Sequence, residues 1–127
     1  GIMVHWSLDD AGGNHKRNTY DNAGDGKWHH TAMVVDRKNK QLVTYLDGAN
    51  EKNVPIAEIK SVTGVLPVIF GDGYNGMIDE IGIFNVVLSV DDINRILTDG
   101  LEKAVGGVPV EPLDKLPMTW AAIKARD

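Results

Sequence analysis

Apolar and polar positions alternate along several stretches of this chain, and each alternation predicts a strand. In residues 2–8, Ile2, Val4 and Trp6 fall on one side and Met3, His5 and Ser7 on the other. Asp9 to Asn14 reads as a turn, and residues 16–20 as a short polar strand. Residues 31–37 and 41–46 are β-branched and apolar. The polar Lys38-Asn39-Lys40 joins them as a hairpin, with Asn39 suited to the left-handed turn conformation. Asp25-Gly26 precedes the first of these strands and Asp47-Gly48 follows the second, so turn chemistry brackets the pair. Trp28, at the entry, is expected to seal one end of the core.

Beyond the hairpin the pattern weakens and then returns. Ala49 to Asn53 is polar. Val54-Pro55-Ile56 can be extended only at a sheet edge, because proline donates no ladder hydrogen bond. Strands are expected over 56–62 and 67–70. A strong strand is expected over 77–85, apolar on both faces and therefore in the body of a sandwich. Ser89 to Asp99 is the clear helix. Ser89 can cap it and Asp92 completes an acidic capping box. Leu88 and Ile93 stand at staple positions, Ile93, Ile96 and Leu97 form a stripe, and Gly100 ends the helix. A short helical turn through Val105, a Gly-Pro linker, and a tail carrying Met118, Trp120 and Ile123 complete the chain. A tryptophan in a tail points to docking on the body.

Four blocks within this pattern resemble a known family. They are Asp25-Gly26-Lys27-Trp28-His29-His30-Thr31-Ala32, the strand end Tyr45-Leu46-Asp47-Gly48, the run from Gly76 to Asn85, and Leu88-Ser89 followed by Asp91-Asp92-Ile93. In order and spacing they are similar to the laminin-G-like, concanavalin A-like jelly-roll domains. The resemblance implies an all-β jelly-roll β-sandwich with one short C-terminal α-helix, the domain taking residues 1–105, and the linker and docking tail read above take residues 106–127. In the family several strands precede the Trp-His-His block, and here only one or two do. Either those strands are dispensable or a second chain supplies their pairing, so a homo-oligomer or strand exchange through unpaired sheet edges is expected.

Composition narrows the partners. The 127 residues fit one domain, and a net charge of −5 with no block of one sign disfavours nucleic acid. The lack of cysteine excludes a disulfide scaffold. No apolar run is long enough to span a membrane, and no signal peptide is visible; the resemblance implies an extracellular or cell-surface location.

The candidate chemistry is sparse. His29 and His30 are adjacent on a strand, point to opposite faces, and read as structural. The loop from Asp21 to Gly26 alternates oxygen side chains, but Ala23 and Ala32 break an EF-hand pattern. Laminarinase-type hydrolases of the same superfold carry a Glu-x-Asp-x-x-Glu strand, which this chain lacks, so no enzyme activity is expected. Many relatives hold a structural calcium at the aspartate that Asp79 matches. A carboxylate between Met77 and Ile81 would itself call for a cation or a hydrogen-bond partner. For a glycan, Tyr74 flanked by Asp72 and Asn75 is the leading loop site. Tyr20 beside Asp21 and Asn22 follows, with Trp6 on the concave sheet. The function expected is a non-catalytic carbohydrate-binding or adhesion module of a larger secreted or cell-surface protein. The alternatives are a protein-interaction or spacer domain, and a glycoside hydrolase remnant.

Overall fold

A computed structural model describes residues 3–63, 67 and 69–105. The expected linker and tail lie outside them. The regular structure of the described residues is two antiparallel sheets and two short helices, with irregular segments over 21–30 and the described residues of 56–89. Strands β1 (Val4–Asp9) and β2 (His15–Tyr20) form a two-stranded ribbon. Strands β3 (Thr31–Asp36), β4 (Gln41–Leu46) and β5 (Ala49–Pro55) form a three-stranded sheet in sequence order. Helices α1 (Val90–Asp99) and α2 (Leu101–Val105) follow. This mostly-β arrangement is consistent with a concanavalin A-like β-sandwich.

Register explains why β4 is buried throughout Leu42 to Tyr45. Val35 pairs with Leu42, Met33 with Thr44, and Leu42 in turn with Val54. Alternation therefore puts Leu42 and Thr44 on one face with Met33 and Val35. Leu8 of β1, Ile56 and Ile59 close over Leu42 there. The opposite face carries Val34, Val43 and Tyr45, and Ile93 of α1 packs on it with Ala32 and Leu88 at its margin. The central sheet is thus covered by the β1–β2 ribbon on one side and by α1 on the other. Burying each large aliphatic side chain contributes about 1.5–3 kcal/mol.

Polar ties fix the ribbon to the sheet. The Trp6 indole N–H donates to Thr31 Oγ1 at 2.6 Å, and Asn18 Nδ2 donates to the Lys52 carbonyl at 3.3 Å. The Lys52 ammonium also reaches the Thr19 carbonyl.

The helix start follows its sequence. Ser89 Oγ accepts the Asp92 N–H at 3.1 Å and the Asp92 carboxylate accepts the Ser89 N–H at 3.2 Å, a complete capping box. The Gly100 N–H closes the helix onto the Ile96 carbonyl, and α2 begins directly after it. Within the expected stripe only Ile93 is fully buried; Leu97 is exposed.

Four sequence expectations are corrected. Residues 56–62 are not a strand. Ile59 N–H turns back to the Ile56 carbonyl, Lys60 N–H goes to Asp10, and the Arg37 guanidinium takes the Ile59 and Lys60 carbonyls. These bonds turn the segment back on itself and anchor it at the ends of β1 and β3, outside any ladder. Residues 77–85 are not a paired strand either. Glu80 sits at φ 57°, which breaks the alternation, and its carboxylate accepts the Leu101 N–H at 3.2 Å. Gly82 lies so close under Leu101 that an added Cβ would meet its Cδ2 at 2.7 Å, so the segment is committed to α2 rather than to a sheet. Trp28 does not seal the core, because its side chain is 63% exposed. Of the short strand expected over 67–70, residues 67, 69 and 70 are in no strand and residue 68 lies outside the described set.

One strand had a signal only at its end. Ala49–Pro55 is mostly exposed, and its Val54-Pro55 end lies at the sheet edge as expected, while polar Ala49 to Asn53 gave no strand pattern.

Candidate functional site

The loop before β3 and the turn after β4 meet at His29. The turn is a two-residue Asp47-Gly48 connection, with φ 57° and 70°, the positive pair of a type I′ hairpin. Its backbone is stitched to the loop, since the Asp47 N–H donates to the His30 carbonyl at 2.7 Å. The Asp47 carboxylate then uses both oxygens, one for the His30 N–H at 2.9 Å and the other for His29 Nδ1 at 2.8 Å. On the far side of the ring, His29 Nε2 is 2.8 Å from Asp25 Oδ1, which also accepts the Lys27 N–H at 3.0 Å. Gly26, at φ 78°, permits that tight return.

A neutral imidazole has one donor and one acceptor nitrogen. Here both nitrogens face carboxylates, so both bonds are made only by the imidazolium. The Asp47 carboxylate, then Asp25, holds the His29 pKa above the ordinary imidazole value. The His29 bond, then the Lys27 N–H, pulls Asp25 down. Burial pushes Asp47 up, but the His30 N–H and His29 outweigh it and its net shift is downward. His30 behaves oppositely. Its ring is half-buried with Nδ1 unpartnered, and burial lowers its pKa against the nearby Asp47 and Glu80 charges. The adjacent histidines precede β3 rather than lie on a strand, and they differ in charge: His29 bridges two carboxylates, while burial disfavours the charged form of His30.

Between the two latch carboxylates the loop carries Trp28, whose exposed ring stands on backbone fixed at Asp25, at His29 and at His30. That is an apolar platform on a pinned support.

A family model, Laminin_G_3, described as the concanavalin A-like lectin/glucanases superfamily, matches residues 3–94. The chain belongs to this family. No curated protein and no solved structure matches it. In this laminin-G-like domain the matched region includes all five strands, the latch and the start of α1.

The glycan candidates separate into two groups in the domain. Asp72, Tyr74 and Asn75 share the exposed loop between Gly71 and Gly76, where the Tyr74 N–H bonds the Gly71 carbonyl at 3.1 Å. Tyr74 is 50% exposed and lies over Gly76, where a Cβ would stand 2.6 Å from its hydroxyl oxygen. Tyr20 and Trp6 instead face the inter-sheet layer. Tyr20 is buried, its hydroxyl donating to the Asn50 carbonyl at 2.8 Å and meeting Thr44 Oγ1 at 3.0 Å, and the Lys52 ammonium covers a ring face at 4.7 Å. Trp6 is half-buried and tied to Thr31. Neither ring is an open stacking surface. The Tyr20 edge does border a shallow, open depression of about 390 Å3, with Asp21, Asn50, Glu51 and Lys52 on its rim.

Asp79 is exposed, so no apolar setting forces a cation or a buried partner on its carboxylate. Among the described residues no three acidic or histidine side chains are arranged to hold a metal ion. The Asp25–His29–Asp47 trio cannot serve, because the ring separates its carboxylates and occupies both. Sequence reasoning missed Trp28 as a surface residue and missed the latch. The Asp25/His29 spacing of four across a Gly turn was its visible trace.

Proposed function

We propose that this domain is a non-catalytic carbohydrate-binding or adhesion module of a larger secreted or cell-surface protein, built on the jelly-roll plan, with Trp28 as its principal sugar-stacking ring. The observation that carries the reading is the exposure of Trp28 on a loop fixed by charge-assisted bonds on both sides. A sugar face stacks on an aromatic ring, and a ring held in place before binding loses little entropy on binding. Tyr74 with Asp72 and Asn75 provides a second ring with polar neighbours. A non-catalytic role is supported by the missing Glu-x-Asp-x-x-Glu strand. A structural calcium at Asp79 would start from one exposed carboxylate and take its other oxygens from further groups or water.

The test is a glycan-array screen in calcium and again with a chelator, on the wild type, Trp28→Ala and Tyr74→Ala. Hits lost in Trp28→Ala support the site, and calcium enters it only if chelation removes them. Hits that survive Trp28→Ala but not Tyr74→Ala move the site to the second loop, and a blank array rejects the glycan reading.

A protein-interaction role is the second reading. It is favoured by large apolar side chains open to solvent between residues 69 and 87, among them Ile69, Met77 at 73% and Val87. A second copy pairing with an open sheet edge is one such partner. Light scattering at high concentration distinguishes it from a monomer.

A further inference from the structure

Resting on the Trp28 reading above, we infer that ligand binding at this loop is gated by pH through His29, which pins the Trp28 platform only as an imidazolium bridging Asp25 and Asp47. Each ring nitrogen lies 2.8 Å from a carboxylate oxygen, and the two carboxylates belong to different elements, the loop before β3 and the β4–β5 turn. When the proton leaves, one nitrogen becomes a lone pair facing a carboxylate. That contact turns repulsive and one side of the bridge opens.

The two sides differ in what else holds them. Asp47 keeps the His30 N–H on its other oxygen and keeps its own N–H on the His30 carbonyl. Gly48 beside it packs under Asn94 and Leu97 of α1. Among the described residues, Asp25 is tied otherwise to Lys27, two residues away on the same loop. The Asp25 side is therefore the one that lets go, and it is the side on which Trp28 rides. The charged and titratable groups facing His29 are these two carboxylates, with Lys27 beside Asp25 and His30 beside Asp47. His30, held neutral by burial, does not replace the lost charge. The raised pKa of His29 sets the direction: the bridge is closed below the ordinary imidazole value of 6.5 and opens at some pH above it.

The variant Asp25→Asn separates the gate from the platform. A carboxamide can accept from an N–H or donate to a lone pair, so it bridges to neutral His29 as well as to the imidazolium. The first arm needs no glycan. NMR of the wild-type domain follows the His29 ring N–H signals and the Trp28 indole N–H order from about pH 6 to about pH 9. The expected result is two ring N–H signals at the lower end, then loss of one together with loosening of Trp28, and a pH-independent Trp28 in Asp25→Asn. The second arm measures affinity for a glycan hit over the same range. It is expected to fall about three- to tenfold with rising pH in the wild type and to stay level in Asp25→Asn. A Trp28 signal that ignores the titration of His29, or the same pH profile in both proteins, overturns the gate whatever the arrays show. A blank array with the NMR result intact overturns the glycan reading and leaves the latch standing.

Discussion

The Tyr20 hydroxyl lies 3.0 Å from the Thr44 hydroxyl inside the layer between the two sheets, and donates onward to the Asn50 carbonyl at 2.8 Å. Thr44 has no exposed surface and Tyr20 almost none, so the Thr44 hydroxyl has no water to fall back on, whereas Asn50 is exposed. Tyr20→Phe should cost about 1–3 kcal/mol, because it strands the Thr44 hydroxyl. Thr44→Val in that background should cost less than Thr44→Val alone, since its lost partner is already gone. Urea unfolding of the four proteins checks this, and strictly additive costs would show that the two hydroxyls do not act as a pair.

Gly48 joins the hairpin turn to α1. It adopts φ 70°, and a Cβ there would meet the Asn94 carboxamide and approach Leu97 Cδ2 at 3.0 Å. Gly48→Ala should therefore lose about 1–2 kcal/mol to the left-handed backbone and more to the collision with α1. Adding Asn94→Ala should recover the collision and leave the backbone cost. The Asn94 side chain also bonds the Val90 carbonyl at 3.1 Å, so Asn94→Ala alone serves as the reference. Thermal melts of the three variants decide it, and no recovery in the double variant would place the whole cost in the backbone.

Helix α1 is held by its start and by one side chain. Ser89→Ala removes half of the capping box and should cost about 1 kcal/mol. Ile93→Ala empties a fully buried position against Val34, Val43 and Tyr45 and should cost about 2–5 kcal/mol. Leu97→Ala should cost less than either, because that side chain is already exposed. Chemical denaturation gives the order, and a Leu97 cost equal to that of Ile93 would mean that the stripe packs as a whole.

How far the sequence reads depends on whether local pattern and tertiary demand agree. They agree in β1, β3, β4 and at the α1 cap, where alternation, turn residues and capping chemistry all name the same element. They disagree at residues 77–85, whose apolar alternation reads as a central strand. Glu80 turns left-handed to hold the Leu101 N–H, a contact 21 residues away that no local pattern encodes. Polar β5 fails for the opposite reason, since edge pairing to β4 needs no apolar face. The Lys38-Asn39-Lys40 turn was legible as a turn but not in detail, because Lys40 takes the positive φ while the Asn39 side chain bonds Asp36 at 2.8 Å. Of the candidate site, the aromatic rings were legible by type and not by exposure. Tyr20 and Trp6 are drawn inward by hydrogen bonds across the sheets, and Trp28 stands outward on the latch.

Asp10 should govern acid stability. Its carboxylate accepts the Lys60 N–H at 2.9 Å, the Asn14 Nδ2 at 3.0 Å, and the Asn14 and Gly12 N–H groups, tying the β1–β2 turn to the segment after β5. The Lys60 bond, then the Asn14 side chain, lowers its pKa from 3.8 to about 2. A pKa lower in the folded state than in the unfolded one contributes stability at pH values above 3.8, and that contribution fades as pH falls toward about 2. Asp10→Asn should therefore be less stable than the wild type at neutral pH, with the gap closing over that acid window and absent below it. Loss of the His29 bridge acts at the other end, above the ordinary imidazole value, so Asp10→Asn should leave the alkaline limb unchanged. Melting temperatures of both proteins from about pH 2 to about pH 9 test this. A gap that stays constant through the acid window would show that the Asp10 bonds survive protonation and that their strength does not come from its charge.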